Sequence, residues 1–232
     1  LAERAETQLI VAGVPLCAAL SGVLYWPAKR VLAVADLHLE KSTTGRPGTR
    51  GVPPYDTRDT LVRLGAAIKQ YAPTHLVALG DSFHDPTAVA RMDDADLAHL
   101  RALASGLRWI WITGNHDPAP PWFADLSDAV GEWRLGPLVF RHQAKPDMVG
   151  EISGHYHPKA AVQVRGGRVK GHCFAEDGNR LIMPAFGSYT GGLNVLDPAI
   201  QAVFGGPPAR CHVIGRRSIT TIPAVLLRTN AH

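Results

Sequence analysis

Val31-Leu32-Ala33-Val34-Ala35-Asp36-Leu37-His38 is the stretch on which the fold turns. An unbroken apolar run that ends in Asp36 has the signature of a buried strand delivering a polar residue at its carboxyl end. Three further runs behave alike: His75-Leu76-Val77-Ala78-Leu79 ends at Gly80-Asp81, Trp109-Ile110-Trp111-Ile112 at Thr113-Gly114-Asn115, and Leu138-Val139-Phe140 near His142. Between the first two a helix is expected, capped by Asp56 or Thr57, with Leu61, Leu64 and Ile68 at helical spacing. A second helix lies between the next two, with Leu97, Leu100 and Leu103 on its inner face and Gly106 following its end. Strands alternating with helices make an α/β pattern, whose ligands gather at the carboxyl ends of the strands.

After Val149 the chain changes character. Short apolar runs broken by Gly166-Gly167, Asp177-Gly178, Gly191-Gly192 and Gly205-Gly206 read as antiparallel strands and turns. No long linker, repeat or low-complexity stretch separates the halves. Residues 1–232 are therefore expected to form a single α/β domain, two mixed β-sheets packed face to face as a sandwich and flanked by helices. The uncharged segment Leu9 to Trp26 contains Gly13, Pro15, Ser21 and Gly22, with Glu3, Arg4 and Glu6 in front. Two strands joined at Ser21-Gly22, the second closed by Pro27, account for it better than a signal peptide or a membrane span.

Composition narrows the class without deciding function. With 46% hydrophobic and 19% charged residues, the chain can bury a sizeable core. The net charge of +4 permits a nucleic-acid or phosphate partner but does not demand one. Cys17, Cys173 and Cys211 are far apart and include no Cys-X-X-Cys pair, so they read as free thiols in a reducing compartment. A cytoplasmic protein with no membrane association is expected. Because the chain begins with Leu1 rather than Met, its natural start is expected upstream.

Chemistry is concentrated in four motifs in fixed order: Asp36-Leu37-His38, Gly80-Asp81, Gly114-Asn115-His116-Asp117 and Gly154-His155-Tyr156-His157. Carboxylates, an amide oxygen and imidazoles suit a pair of divalent transition ions, whereas a structural zinc site would use thiolates. Asp-X-His puts both side chains on one face of a strand end. The Gly before Asp81 lets the backbone turn sharply. Asn115, between Gly114 and His116-Asp117 and directly behind a Trp/Ile strand, is the most specific of these signals.

Taken together, the motifs resemble the calcineurin-like binuclear metallophosphoesterase superfamily. That resemblance implies Asp36, His38, Asp81 and His157 around one ion, and Asp81, Asn115, His142 and His155 around the other, with Asp81 as the bridge. It further implies that His116 stabilises the transition state and protonates the leaving oxygen; Asp117, next to it in sequence, is expected to orient its ring or raise its basicity. Water would be the nucleophile, and no Ser or Cys is required. Mn²⁺ is the expected ion, with Fe²⁺, Zn²⁺ or Co²⁺ as alternatives.

Gly80-Asp81-Ser82-Phe83-His84-Asp85 departs from the Gly-Asp-X-X-Asp-Arg common in the protein phosphatases of the superfamily, so their phosphate-gripping Arg is missing here. Gly-Asp-X-Phe-His is closer to the double-strand-break repair nucleases, and His84 is read as a hydrogen-bonding residue behind the ligands. Closer still are the bacterial ligase-associated DNA damage response endonucleases (PdeM-like). The likeness includes Ala35 to Lys41, Pro53-Pro54-Tyr55-Asp56-Thr57, Gly154 to Pro158 and Leu181 to Gly192. It implies a manganese-dependent endonuclease acting on single-stranded DNA in DNA repair, associated with a DNA ligase and a helicase. Lys41, Arg46 and Arg50, in a Gly/Pro-rich loop after the first motif, are candidate backbone contacts. Tyr55, Tyr156, Phe186 and Tyr189 are candidate stacking residues. The rival readings are a small-substrate phosphomonoesterase or nucleotide phosphohydrolase and a non-catalytic interaction scaffold.

Overall fold

The computed structural model describes residues 5–45, 55–117, 127–145, 148–164 and 167–227. Seven strands form the first sheet in chain order: β1 (Glu6–Val11), β2 (Val14–Ala19), β3 (Leu24–Trp26), β4 (Val31–Val34), β5 (His75–Leu79), β6 (Arg108–Ile112) and β7 (Ser127–Val130). β1 to β4 pair antiparallel, and β4 to β7 pair parallel. The second sheet contains β8 (Glu132–Leu135), β9 (Leu138–Arg141), β10 (Glu151–Ser153), β11 (Lys159–Val164), β12 (Gly167–Glu176), β13 (Arg180–Ile182), β14 (Arg210–Ile214) and β15 (Ile219–Pro223). Its order is β15-β14-β12-β13-β10-β9-β8, with β11 paired to β12 as a hairpin.

Residue alternation explains why the strands of the α/β half are apolar throughout. Val31, Ala33, Val77, Leu79, Ile110 and Ile112 face the second sheet and pack with its Leu138, Phe140, Ile152, Phe174 and Leu181. Their neighbours Leu32, Val34, Leu76, Ala78, Trp109 and Trp111 face outward onto helices. Both faces are covered, so neither can be polar. The outer layer on this side is α1 (Asp56–Tyr71), α2 (Ala88–Arg91) and α3 (Asp94–Ala104), with Leu61, Leu64 and Leu100 buried against the sheet. On the far side α4 (Pro198–Phe204) covers the second sheet, packing Ile200 and Val203 on Ile182. The two-sheet α/β sandwich expected from the sequence is the observed fold. Among the described residues no helix is long and apolar enough to cross a membrane.

Several local expectations are corrected. Ser21-Gly22 joins β2 to β3, but an earlier turn at Ala12-Gly13 has already split the first strand in two. Asp56 and Thr57 do not cap α1. Asp56 instead accepts hydrogen bonds from the Ser42 N–H and hydroxyl, and the Thr57 hydroxyl pairs with Glu40. These contacts tie the loop after β4 to the first turn of the helix. The second half is not wholly antiparallel, since β10 pairs parallel with both β9 and β13. Gly205 ends α4 in a left-handed cap (φ 71°) and does not turn a hairpin. Asp197, whose carboxylate accepts the Ala199 N–H, and Pro198 start that unforeseen helix.

Candidate metal centre

Five parallel-strand ends converge at one edge of the sandwich. β4 leads to Asp36 and His38, β5 to Asp81, β6 to Asn115 and His116, β9 to His142, and β10 to His155 and His157. The loops after β4 and β5 run side by side, with the His38 N–H on the Asp81 carbonyl and the Leu39 N–H on the Ser82 carbonyl, both at 2.9 Å. Asp36 and His38 therefore lie beyond the strand, and extended pleating does not align them. Both have left-handed backbone, at φ 52° and 44°.

Left-handed backbone recurs through the centre. Asp81 (φ 43°), His155 (φ 71°) and His157 (φ 46°) share it, so five of the seven expected ligands adopt a conformation that costs a non-glycine residue about 1–3 kcal/mol. Such strain concentrates at functional sites because surrounding structure must enforce it.

The side chains gather into two clusters. In the first, one ligand atom each from Asp36, His38 and His157 lies within 4.8 Å of the others. His38 Nε2 and His157 Nε2 face each other at 3.4 Å, and His157 Nε2 is 3.4 Å from Asp36 Oδ1. Asp81, His142 and His155 form the second to the same limit. There Asn115 Oδ1 lies 2.8 Å from His142 Nε2 and 3.1 Å from His155 Nδ1, which brings Asn115 into the group. The His142 Nδ1–H donates to the Leu79 carbonyl at 3.0 Å, leaving Nε2 to face Asp81. The His155 N–H spans the two clusters by donating to the Asp36 carboxylate.

Carboxylate oxygens and imidazole nitrogens converging on two points are a donor set for divalent transition ions. No cysteine joins either cluster among the described residues. Burial, helped by the neighbouring His157, pushes the His38 pKa down to about 2, so its ring is neutral and able to donate a lone pair. Burial alone would raise the Asp81 carboxyl, but His142 and the His116 N–H outweigh it and hold Asp81 below the usual carboxylate range. The residues fit the ions that the motifs imply.

His116 stands beside both clusters without joining either, 35% exposed, with Nε2 4.0 Å from Asp81 Oδ2. Its Nδ1 lies 2.8 Å from the His84 carbonyl, which only accepts, so Nδ1 carries a proton and Nε2 is the atom left to exchange one. The carboxylate expected to orient this ring does something else. Asp117 accepts the N–H groups of Ser82, Phe83 and Gly114, locking the loop after β5 to that after β6. Burial pushes its pKa up to about 6 against those three bonds. The His84 ring stacks on His116 with centroids 5.4 Å apart and meets His38 edge-on.

Other expected contacts divide. Arg46 and Arg50, with Pro53 and Pro54, lie outside the described residues. Lys41 is described, and its Nζ donates to the Tyr189 carbonyl. Phe186 is buried against the β4 strand layer and is not a stacking surface, whereas Tyr55 and Tyr189 are exposed. Glu40 was not anticipated. Buried at φ 64°, it accepts the hydroxyls of Thr43 and Thr57 and so braces the loop carrying Asp36 and His38. Thr57 beside a capping-type Asp56 was the available signal.

The calcineurin-like phosphoesterase family model matches residues 29–177, which takes in all four motifs. Among solved structures, the chain resembles the Pseudomonas putida nuclease MPE at 29% sequence identity and a TM-score of 0.71, covering 93% of this chain and 100% of that one. No curated protein matches the chain.

Glycines make the close packing of the centre feasible. A Cβ on Gly114 would sit 2.2 Å from the Asp81 N and Oδ1, and one on Gly154 would sit 2.6 Å from Asp36 Oδ2 and 2.9 Å from the Ala35 Cβ. Gly154→Ala is expected to fold, by circular dichroism, yet to bind Mn²⁺ about 10–100-fold more weakly by titration calorimetry, because it displaces Asp36. Unchanged affinity would remove Asp36 from the centre.

Proposed function

We propose that this chain, which belongs to the calcineurin-like phosphoesterase family, is a DNA endonuclease that cuts internal phosphodiesters and favours single strands over duplex. The observation that carries the reading is the pair of facing clusters with His116 held beside them, its Nδ1 on the His84 carbonyl and its Nε2 toward Asp81. Likeness to a nuclease over nearly the whole chain supports the choice of a polynucleotide. The reading extends to residues 1–232 acting as one domain in the cytoplasm, in DNA repair alongside a DNA ligase and a helicase.

Asp36, His38, Asp81 and His157 would hold one divalent ion, and Asp81, Asn115, His142 and His155 the other, with Mn²⁺ favoured by four imidazoles. Bound there, the ions supply neutralisation of phosphate charge and a water nucleophile at neutral pH. The protein supplies the rest. With Nδ1 held by the His84 carbonyl, a protonated His116 offers only its Nε2 proton to the leaving oxygen. An alkoxide is a poor leaving group at neutral pH, so such an acid is worth about 10²–10⁴-fold. Asp117 and Glu40 act earlier, by fixing the loops on which these groups stand.

A small-substrate phosphomonoesterase would want a free guanidinium for the terminal phosphate. Arg91, close to the second motif, is instead bidentate on Asp85 at 2.7 and 3.0 Å.

His116→Ala should slow hydrolysis of a DNA phosphodiester by about 10²–10⁴-fold and release of p-nitrophenolate from bis-p-nitrophenyl phosphate far less, because that leaving group hardly needs a proton. Equal losses on both substrates would take the acid role from His116. The substrate itself is tested by a closed single-stranded DNA circle given to chelated enzyme restored with Mn²⁺. Linearisation is expected, faster than nicking of duplex plasmid and weaker as salt rises. A surviving circle with digested linear strands would mean an exonuclease, and cleavage of monoesters alone would overturn the DNA reading.

A further inference from the structure

The carboxyl end of β13 leads into Met183-Pro184-Ala185-Phe186-Gly187-Ser188-Tyr189-Thr190-Gly191-Gly192, a segment stitched at both ends to the first metal cluster. At one end the Phe186 N–H donates to the Ala35 carbonyl and the Gly187 N–H to that of Asp36, at 2.8 and 3.1 Å. Gly187 is so close that a Cβ there would sit 2.2 Å from the Leu37 carbonyl oxygen. At the other end a Cβ on Gly192 would sit 2.1 Å from the His157 carbonyl oxygen, and the Leu193 N–H reaches Tyr156. From α1, Arg63 braces the segment through the Phe186 carbonyl and the Ser188 hydroxyl. A loop tied down this thoroughly has one large side chain left outside. Tyr189 is 58% exposed at φ 60°, and Lys41 holds its carbonyl.

The same segment walls a cavity of about 370 Å³. The turn at Leu20–Gly22, Asp59 and Arg63 of α1, His172 and Ile214 close its other sides. Its size is that of a small-molecule site, and it opens beside the cluster instead of containing it. An occupant with a flat π-face for the exposed Tyr189 ring matches a nucleobase. Stacking on an aromatic ring is tolerant of sequence and worth about 1–3 kcal/mol per base.

We propose that this cavity receives an unpaired nucleobase of the strand being cut, stacked on Tyr189. The inference rests on the polynucleotide reading above and adds where the strand lies: along the segment between Asp36 and His157. It also accounts for a preference for single strands, because a base paired in a duplex cannot enter a side cavity.

The test compares an oligothymidylate strand with the same strand carrying a central abasic tract, scored for cuts within that tract. Wild-type protein is expected to cut the intact strand about tenfold more efficiently than the abasic one, as loss of one stacked base implies. Tyr189→Ala should bring that ratio close to one, and Tyr189→Phe should keep it. A wild-type ratio retained in Tyr189→Ala, with both strands still cut, would overturn the cavity proposal and leave the endonuclease reading intact. Failure of wild-type protein to cut either strand would overturn both.

Discussion

Two carboxylates removed from water set the terms for this structure. Asp36 is fully buried and Asp81 nearly so, and a buried carboxylate without compensation costs several kcal/mol or gives up its charge. The chain answers with donors and imidazoles: the His155 N–H on Asp36, the His116 N–H on Asp81, and His142 lying against both. Much else follows from bringing those groups close enough. Gly114 and Gly154 give up a side chain because the carboxylates occupy its space. Asp36, His38, Asp81, His155 and His157 accept left-handed backbone so that their side chains turn inward. Imidazole packed on imidazole, as in His38 against His157, stores a preference for a cation at the centre.

Parallel strands make such a centre affordable in chain length. Each of β4, β5, β6, β9 and β10 ends at the same edge, so short loops suffice to present seven side chains and His116. Hydrophobic contact between the two sheets, through residues such as Leu79, Ile112, Phe140 and Ile152, keeps the contributing strand ends in register across the sandwich. Among the described residues, three guanidinium groups near the centre are already engaged. Arg91 is held by Asp85, Arg63 by the 186–188 segment and Arg141 by Glu132 and Glu151.

The strands around the centre were legible because apolar runs ending in Asp, Asn or His report burial and delivery at once, as in Val31 to Asp36. The first helices were legible from Leu61, Leu64 and Leu100 at helical spacing. What could not be read depends on contacts between distant residues. Asp56 beside Thr57 has the composition of a cap, yet both are consumed by Ser42 and Glu40 across a loop. Asp117 adjoins His116 in sequence but points at the loop after β5, and the His84 carbonyl, invisible to side-chain motifs, holds the ring. Parallel pairing of β10 escaped notice because three residues between turns carry no sign of direction. His172 carried no motif, and only the fold sets it beside the cavity next to Tyr189.

Asp36, His38, Asp81, Asn115, His142, His155 and His157 are proposed to hold two ions side by side. Anomalous diffraction from crystals grown with Mn²⁺ addresses it directly. Two peaks about 3.5–4 Å apart are predicted, one among Asp36, His38 and His157 and the other among Asn115, His142 and His155, with Asp81 between them. A single peak, or manganese bound elsewhere with these side chains unligated, would contradict it.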